Sequence, residues 1–139
     1  MSNSGNFISP FLDNRERIFE NSSGFVIFDK FPVSEGHCLV VPHRVYSNYF
    51  DSTDDEVIGL NRLLFQTKEF LVKKFDPPGF NIGINCGEVS GQTVDHLHIH
   101  IIPRSIMMLK IQQVEWEELF PVNKNIDESL SKKCFRSDK

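Results

Sequence analysis

Apolar positions along the chain follow two different periods. Near the N-terminus, "RIFEN" and "GFVIFD" read as a pair of short strands turned by Asn21–Gly24. "GHCLVVP" follows as a third strand, rich in β-branched residues and stopped by Pro42. The period then changes. Thr53 and Glu56 form a capping-box pair, and Val57, Leu60, Leu64, Leu71 and Phe75 recur at roughly three- and four-residue steps, marking one buried helical face. "DPPG" (Asp76–Gly79) ends that helix. "FNIGINC" and "DHLHIHII" return to strand-like blocks, the second closed by Pro103. Strands joined mainly by turns, with one long helix inserted, predict an α+β fold: an antiparallel sheet of about five strands packed against that helix. After Pro103, "LKIQQVEWEELF" is compatible with a strand or a short helix, and "NKNIDESLSKKCFRSDK" reads as a solvated tail.

Composition narrows the function more than the fold. A chain of 139 residues suits one domain over 1–139, and 40% hydrophobic with 24% charged residues excludes disordered and membrane classes. The many phenylalanines promise a well-filled core. A net charge of −4 supplies no broad basic field, so nucleic acid is not expected as a partner, and an anionic substrate needs a local site. Cys38, Cys86 and Cys134 are odd in number and widely spaced, which points to a reducing interior rather than to a disulfide framework. "MSNSGNFISPFLD" lacks the pattern of a signal peptide, and no apolar run approaches the roughly 20 residues of a membrane helix. A cytoplasmic, membrane-free protein is expected.

The chemistry concentrates in "QTVDHLHIHIIPRS". In a strand, successive side chains point to opposite faces, so His96, His98 and His100 share one face, and Leu97, Ile99 and Ile101 share the other. The apolar trio packs on the helix; the histidines face a cleft or water. Three readings of that face compete. Packing alone is the plainest. A metal site is the second, since two histidines at i and i+2 can share a zinc. All three cannot easily do so, because the outer Cα atoms lie roughly 13 Å apart at strand spacing; His37 or Asp29 would have to contribute. Such a site would make a metal-dependent hydrolase. The third is nucleophilic attack on phosphorus by a neutral imidazole whose second nitrogen is held by an acceptor. "GEVSGQT" (Gly87–Thr93), with its glycines and hydroxyls, is a candidate anion cradle through backbone N–H groups.

"HLHIHII" resembles the signature of the histidine triad (HIT) superfamily. The likeness covers roughly residues 15 to 104, with "FDKFPVSEGHCLVVPHR" and "NIGINCGEVSGQTVDHLHIHIIPR" as its two matching stretches. It resembles small bacterial HIT proteins and fragile-histidine-triad dinucleoside polyphosphate hydrolases. The resemblance implies a HIT-like fold, a homodimer, and cleavage at the α-phosphate through a covalent nucleotidyl-histidine. Dinucleoside polyphosphates such as diadenosine tetraphosphate are the implied substrates, with nucleoside phosphoramidates the alternative. It assigns attack to His98, charge stabilisation to His100, and support of the nucleophile to His96. It places His37 near the site and Asp29 on the ribose hydroxyls. Asn85, Gln92 and Thr93 are assigned to the phosphate end, and Phe28 and Ile27 flank the base. No cofactor is required by the protein; magnesium enters only on the substrate polyphosphate.

The chain departs from its relatives in two places. Residues 105–139 do not match the usual segment beyond Arg104. Many bacterial relatives also begin with a Cys-Pro-x-Cys zinc site and carry a later histidine after the third strand. Here those places hold "SPFLD" and Val45. The purified protein is therefore expected to lack a structural zinc; elemental analysis finding one tightly bound zinc per chain would overturn this.

Overall fold

The computed structural model describes residues 6–106. Five antiparallel strands form one sheet: β1 (Phe19–Glu20), β2 (Gly24–Phe28), β3 (Cys38–Pro42), β4 (Gly79–Gly83) and β5 (Ile99–Arg104), in the order β1-β2-β3-β5-β4. One helix, α1 (Asp54–Phe75), crosses between β3 and β4. The α+β architecture is as expected. "LKIQQVEWEELF" and the C-terminal tail lie outside the described residues.

The helix starts where its cap dictates. Thr53 Oγ accepts from the Glu56 N–H at 3.2 Å and the Glu56 carboxylate accepts from the Thr53 N–H at 3.0 Å. It ends where Asp76 takes a left-handed conformation just before Pro77. Its buried face is Gly59, Leu60, Leu63, Leu64, Thr67 and Leu71; Val57 and Phe75, expected at the two ends of that face, are only half-buried. Thr67 is tolerated there because its hydroxyl donates to the Leu63 carbonyl at 2.7 Å.

Both faces of the sheet are packed. Val26, Cys38, Val40, Leu97, Ile99 and Ile101 join Leu60, Leu63, Leu64 and Leu71 in a core under the helix. Phe25, Ile27, Leu39 and Val41 alternate with them and meet Phe11 on the other side. Phe11 belongs to a short 3-10 turn, Pro10–Leu12, in the N-terminal arm. The histidine side is therefore not an open face: the arm covers part of it. Nor do the phenylalanines simply fill the core. Phe25 and Phe11 are buried, whereas Phe31, Phe50 and Phe65 are exposed.

The histidine strand is shorter and later than expected. Residues 95–98 precede the ladder, and Leu97 N–H donates to the Tyr46 carbonyl instead. Pro103 does not close β5; it pairs with Phe80 inside it. β3 pairs only with Ile99–Ile101, so on that side nothing needs the N–H that proline lacks. Ser34 Oγ–H donates to the Pro103 carbonyl there at 2.6 Å.

Because the cap is local and exposed, Thr53→Ala is expected to lower stability by about 1 kcal/mol with an unchanged fold. Urea unfolding followed by circular dichroism measures it, and an unchanged midpoint would contradict the capping assignment.

Candidate active site

The triad side chains reach different surroundings. His96 is fully buried. Its Nε2 lies 2.8 Å from the carbonyl of Pro42, which can only accept, so Nε2 carries the proton and Nδ1 accepts. The donor to Nδ1 is the Ser9 hydroxyl, 2.6 Å away. The His96 carbonyl in turn accepts from His98 Nδ1–H at 2.8 Å. Neutral imidazole has one proton to place, so His98 Nε2 is left with its lone pair. Phe11 packs against both rings, with centroids at 5.9 Å from His96 and 5.0 Å from His98.

A second chain of bonds sets His100 the other way. Val33 N–H donates to His37 Nδ1 at 3.0 Å, so the neutral His37 ring carries its proton on Nε2. That Nε2–H donates to His100 Nδ1 at 2.9 Å. His100 must then present an N–H at Nε2. Asp29 stands beside this relay, its Oδ2 3.4 Å from His37 Nε2 and its Oδ1 accepting from the Phe31 N–H at 2.9 Å. The β3–β5 pairing, which sets Leu39 opposite His100, brings these elements together. Between them lies a cleft of about 430 Å³, lined by Asp29, Thr93, His98 and His100 with the apolar Phe11 and Leu39. Its walls could hold a planar apolar group, and its floor offers a nucleophilic nitrogen beside an N–H donor.

The family model described as "HIT domain" matches residues 13–107. The chain belongs to the HIT domain family. It is 40% identical over 91 residues to an uncharacterised HIT-like protein of Mycoplasma pneumoniae, covering 63% of this chain and 61% of that protein. It is 33% identical over 99 residues to the bis(5'-adenosyl)-triphosphatase of Dictyostelium discoideum, covering 70% of this chain and 66% of that protein. Among solved structures, the diadenosine triphosphate hydrolase of Plasmodium falciparum, in complex with cyclomarin A, superposes with a TM-score of 0.63 at 34% identity. That match covers 68% of this chain and 65% of that structure. The chain thus spans about three fifths of the length of the Mycoplasma relative.

Within this HIT domain, the residues singled out from sequence divide into three groups. Asp29, Thr93, His98 and His100 line the cleft. His37 and His96 stand behind it, buried. Gln92 and Asn85 do not line it. The Gln92 carboxamide accepts from the Gly87 N–H and donates to the Ser47 and Val94 carbonyls, so it knits the loop together. Asn85 donates to the Gly91 carbonyl at 3.3 Å. The expected anion cradle is also internally engaged: N–H groups of Gly87, Ser90, Gly91 and Gln92 all bond within the loop. Phe28 does not flank the cleft; its ring lies on the helix side, 6.4 Å from Phe70. Ile27 is buried in the layer with Leu39.

Pattern reading missed the N-terminal arm. Phe11, Arg15 and Lys30 line the cleft, and Asp13 pairs with both cations. These two cations hold the Asp13 carboxyl well below its usual range. Arg15 also donates to the Phe28 and Pro10 carbonyls, tying the arm to the end of β2. The cap pattern Ser9-Pro10 announces a turn, but nothing in it announces a wall of this cleft.

Asp29, His37 and His100 place ligand atoms within 4.8 Å of one another, as a metal site would. Ligation through His37 Nε2 would move its proton to Nδ1, where it would confront the Val33 N–H. The relay therefore opposes a metal at these three residues, because a donor would face a donor.

Burial pushes His37 and His96 below the ordinary histidine value of 6.5, and pushes His100 down to about 4, helped by neighbouring His98 and His37. All three fold in the neutral form. An unfolded chain takes up protons below its ordinary value that the folded chain refuses, so stability is complete above about pH 6.5 and falls as the pH drops towards the folded values. Urea midpoints measured across that range are expected to decline with acidity; a midpoint that rises would contradict the neutral relay.

Proposed function

We propose that this HIT protein hydrolyses nucleotides at the α-phosphate, with dinucleoside polyphosphates such as diadenosine tetraphosphate as substrates and a nucleotidyl-His98 intermediate. The observation that carries this reading is His98 Nε2, unprotonated and without a protein partner among the described residues, at a cleft where His100 offers an N–H. The Dictyostelium and Plasmodium relatives, named for diadenosine triphosphate cleavage, support the substrate class.

The base lies in the apolar part of the cleft against Phe11 and Leu39, and the ribose hydroxyls meet the Asp29 carboxylate. The Nε2 lone pair of His98 attacks the α-phosphorus, and a P–N bond forms as the P–O bond to the remaining phosphate chain breaks. Positive charge on the ring is shared with the His96 carbonyl through Nδ1–H. His100 Nε2–H and the Thr93 hydroxyl donate to phosphate oxygens, the electrostatic support on which phosphoryl transfer chiefly depends. Water then attacks the same phosphorus, the P–N bond breaks, and a nucleoside monophosphate leaves while one proton passes to solvent. Magnesium, if bound, would enter with the substrate polyphosphate and neutralise its charge, with no protein ligands required.

The protein works as a cytoplasmic homodimer. Among the described residues β4 is an edge strand, and exposed Ile82 on it lines a groove with Leu64, Phe65, Phe80, Lys68 and Glu69, a largely apolar strip suited to a second copy. No helix among the described residues is long and apolar enough to cross a membrane.

The test is a rapid quench during turnover of diadenosine polyphosphates and adenosine phosphoramidates, followed by peptide mapping under conditions that spare the P–N bond. Nucleotide is expected on His98 alone. His98→Ala is expected to abolish turnover while nucleotide binding persists, and His100→Ala to lower kcat by about 10²–10³. Label on His96 or His100, or full activity in His98→Ala, would sink the assignment.

A further inference from the structure

The Ser9 hydroxyl is engaged twice. It accepts from the Phe11 N–H at 3.2 Å, closing the 3-10 turn of the N-terminal arm, and it donates to His96 Nδ1 at 2.6 Å. Ser9 is 3% exposed and His96 is fully buried, so water cannot replace either partner. His96 needs this second anchor. It sits in a bend before β5, outside the ladder, and the other side-chain hydrogen bond of its ring among the described residues goes to the Pro42 carbonyl, with Phe11 packed alongside. Its own carbonyl is what holds His98 Nδ1–H and leaves Nε2 bare.

We infer that Ser9 is a positioning residue: by clamping the His96 ring from the arm side, it fixes the His96 carbonyl and so keeps His98 in its single Nδ1–H form. Ser9 touches neither substrate nor reacting atoms; it acts through His96. The kinetic part of this inference rests on the proposed reaction, whereas the tautomer part does not. Phe11, two residues on, is both a wall of the cleft and a neighbour of the His98 ring, so the same hydroxyl ties the cleft wall to the state of the nucleophile.

Full-length protein labelled with 15N in histidine, in wild-type, Ser9→Ala, Ser9→Thr and Ser9→Cys forms, decides the matter by long-range proton–nitrogen correlation near neutral pH. Wild type is expected to show His98 in one tautomer with Nδ1 protonated. Ser9→Ala should show His98 exchanging between two tautomers, and Ser9→Thr, which keeps the hydroxyl, should restore one. Ser9→Cys, filling the space with a weaker donor, should lie between them and serves if the alanine variant does not fold. Turnover read in parallel should fall about 10- to 100-fold in kcat for Ser9→Ala, as small misplacements of reacting groups do, with KM within about twofold. A folded Ser9→Ala or Ser9→Cys protein with the wild-type His98 tautomer would overturn the inference. So would a raised KM at unchanged kcat, which would make the arm a cleft wall only. The spectra need no turnover, so a wild type inactive on every nucleotide would defeat the proposed reaction and still leave the Ser9 clamp to be judged.

Discussion

A backbone carbonyl can only accept a hydrogen bond, and a backbone N–H can only donate one; that asymmetry decides the state of every ring in the triad. Pro42 and His96 supply carbonyls, so the proton of His96 goes to Nε2 and that of His98 to Nδ1. Val33 supplies an N–H, and the sense reverses through His37 to His100. Two imidazoles two residues apart, with ring centroids 5.0 Å apart, therefore present opposite groups to one cleft: a lone pair and a donor. No side-chain chemistry distinguishes them; the backbone does. Burial disfavours the imidazolium forms of His37, His96 and His100, which keeps the relays around the cleft neutral.

This dependence explains why the fold has to be a sheet with both faces covered. The donors and acceptors come from the β2–β3 loop, the end of β3 and the approach to β5, and the strand pairing of β2, β3 and β5 brings these distant segments together. The helix anchors one face through Leu60, Leu63, Leu64 and Leu71. On the other, Phe11 fills against the His96 and His98 rings where an open sheet would let water in. Water there would compete for the same nitrogens.

What could be read from sequence was local or periodic. The helix was legible because its cap lies within four residues and its stripe repeats. The alternation of His96, His98 and His100 with Leu97, Ile99 and Ile101 was legible for the same reason, and it survives even where the ladder does not. Long-range contacts were hidden: Ser9 and His96 are 87 positions apart, and nothing in either neighbourhood names the other. Thr67 escaped because a buried polar residue interrupts an apolar count although its hydroxyl is satisfied within its own turn. Pro103 misled because the rule that proline stops strands assumes a partner on both sides, and β3 has ended by then. Gln92 looked like a free polar contact because its three bonding partners are backbone groups, which carry no residue identity.

The departures from zinc-containing relatives take on a mechanical meaning in this light. A zinc held by cysteines in the N-terminal arm and a histidine after the third strand would link those two segments. In this chain hydrogen bonds already run between the arm and the end of β3: Ser9 donates to His96, and His96 donates to Pro42, the last residue of β3. Arg15 adds a second tie, from the arm to the Phe28 carbonyl at the end of β2. Both links run through hydrogen bonds that fix direction, whereas a zinc fixes chiefly distance and angle around itself. These hydrogen bonds place the arm under the same donor and acceptor logic that sets the triad, so a change in the arm reaches His98 through the His96 carbonyl and leaves the sheet pairing that carries His100 untouched.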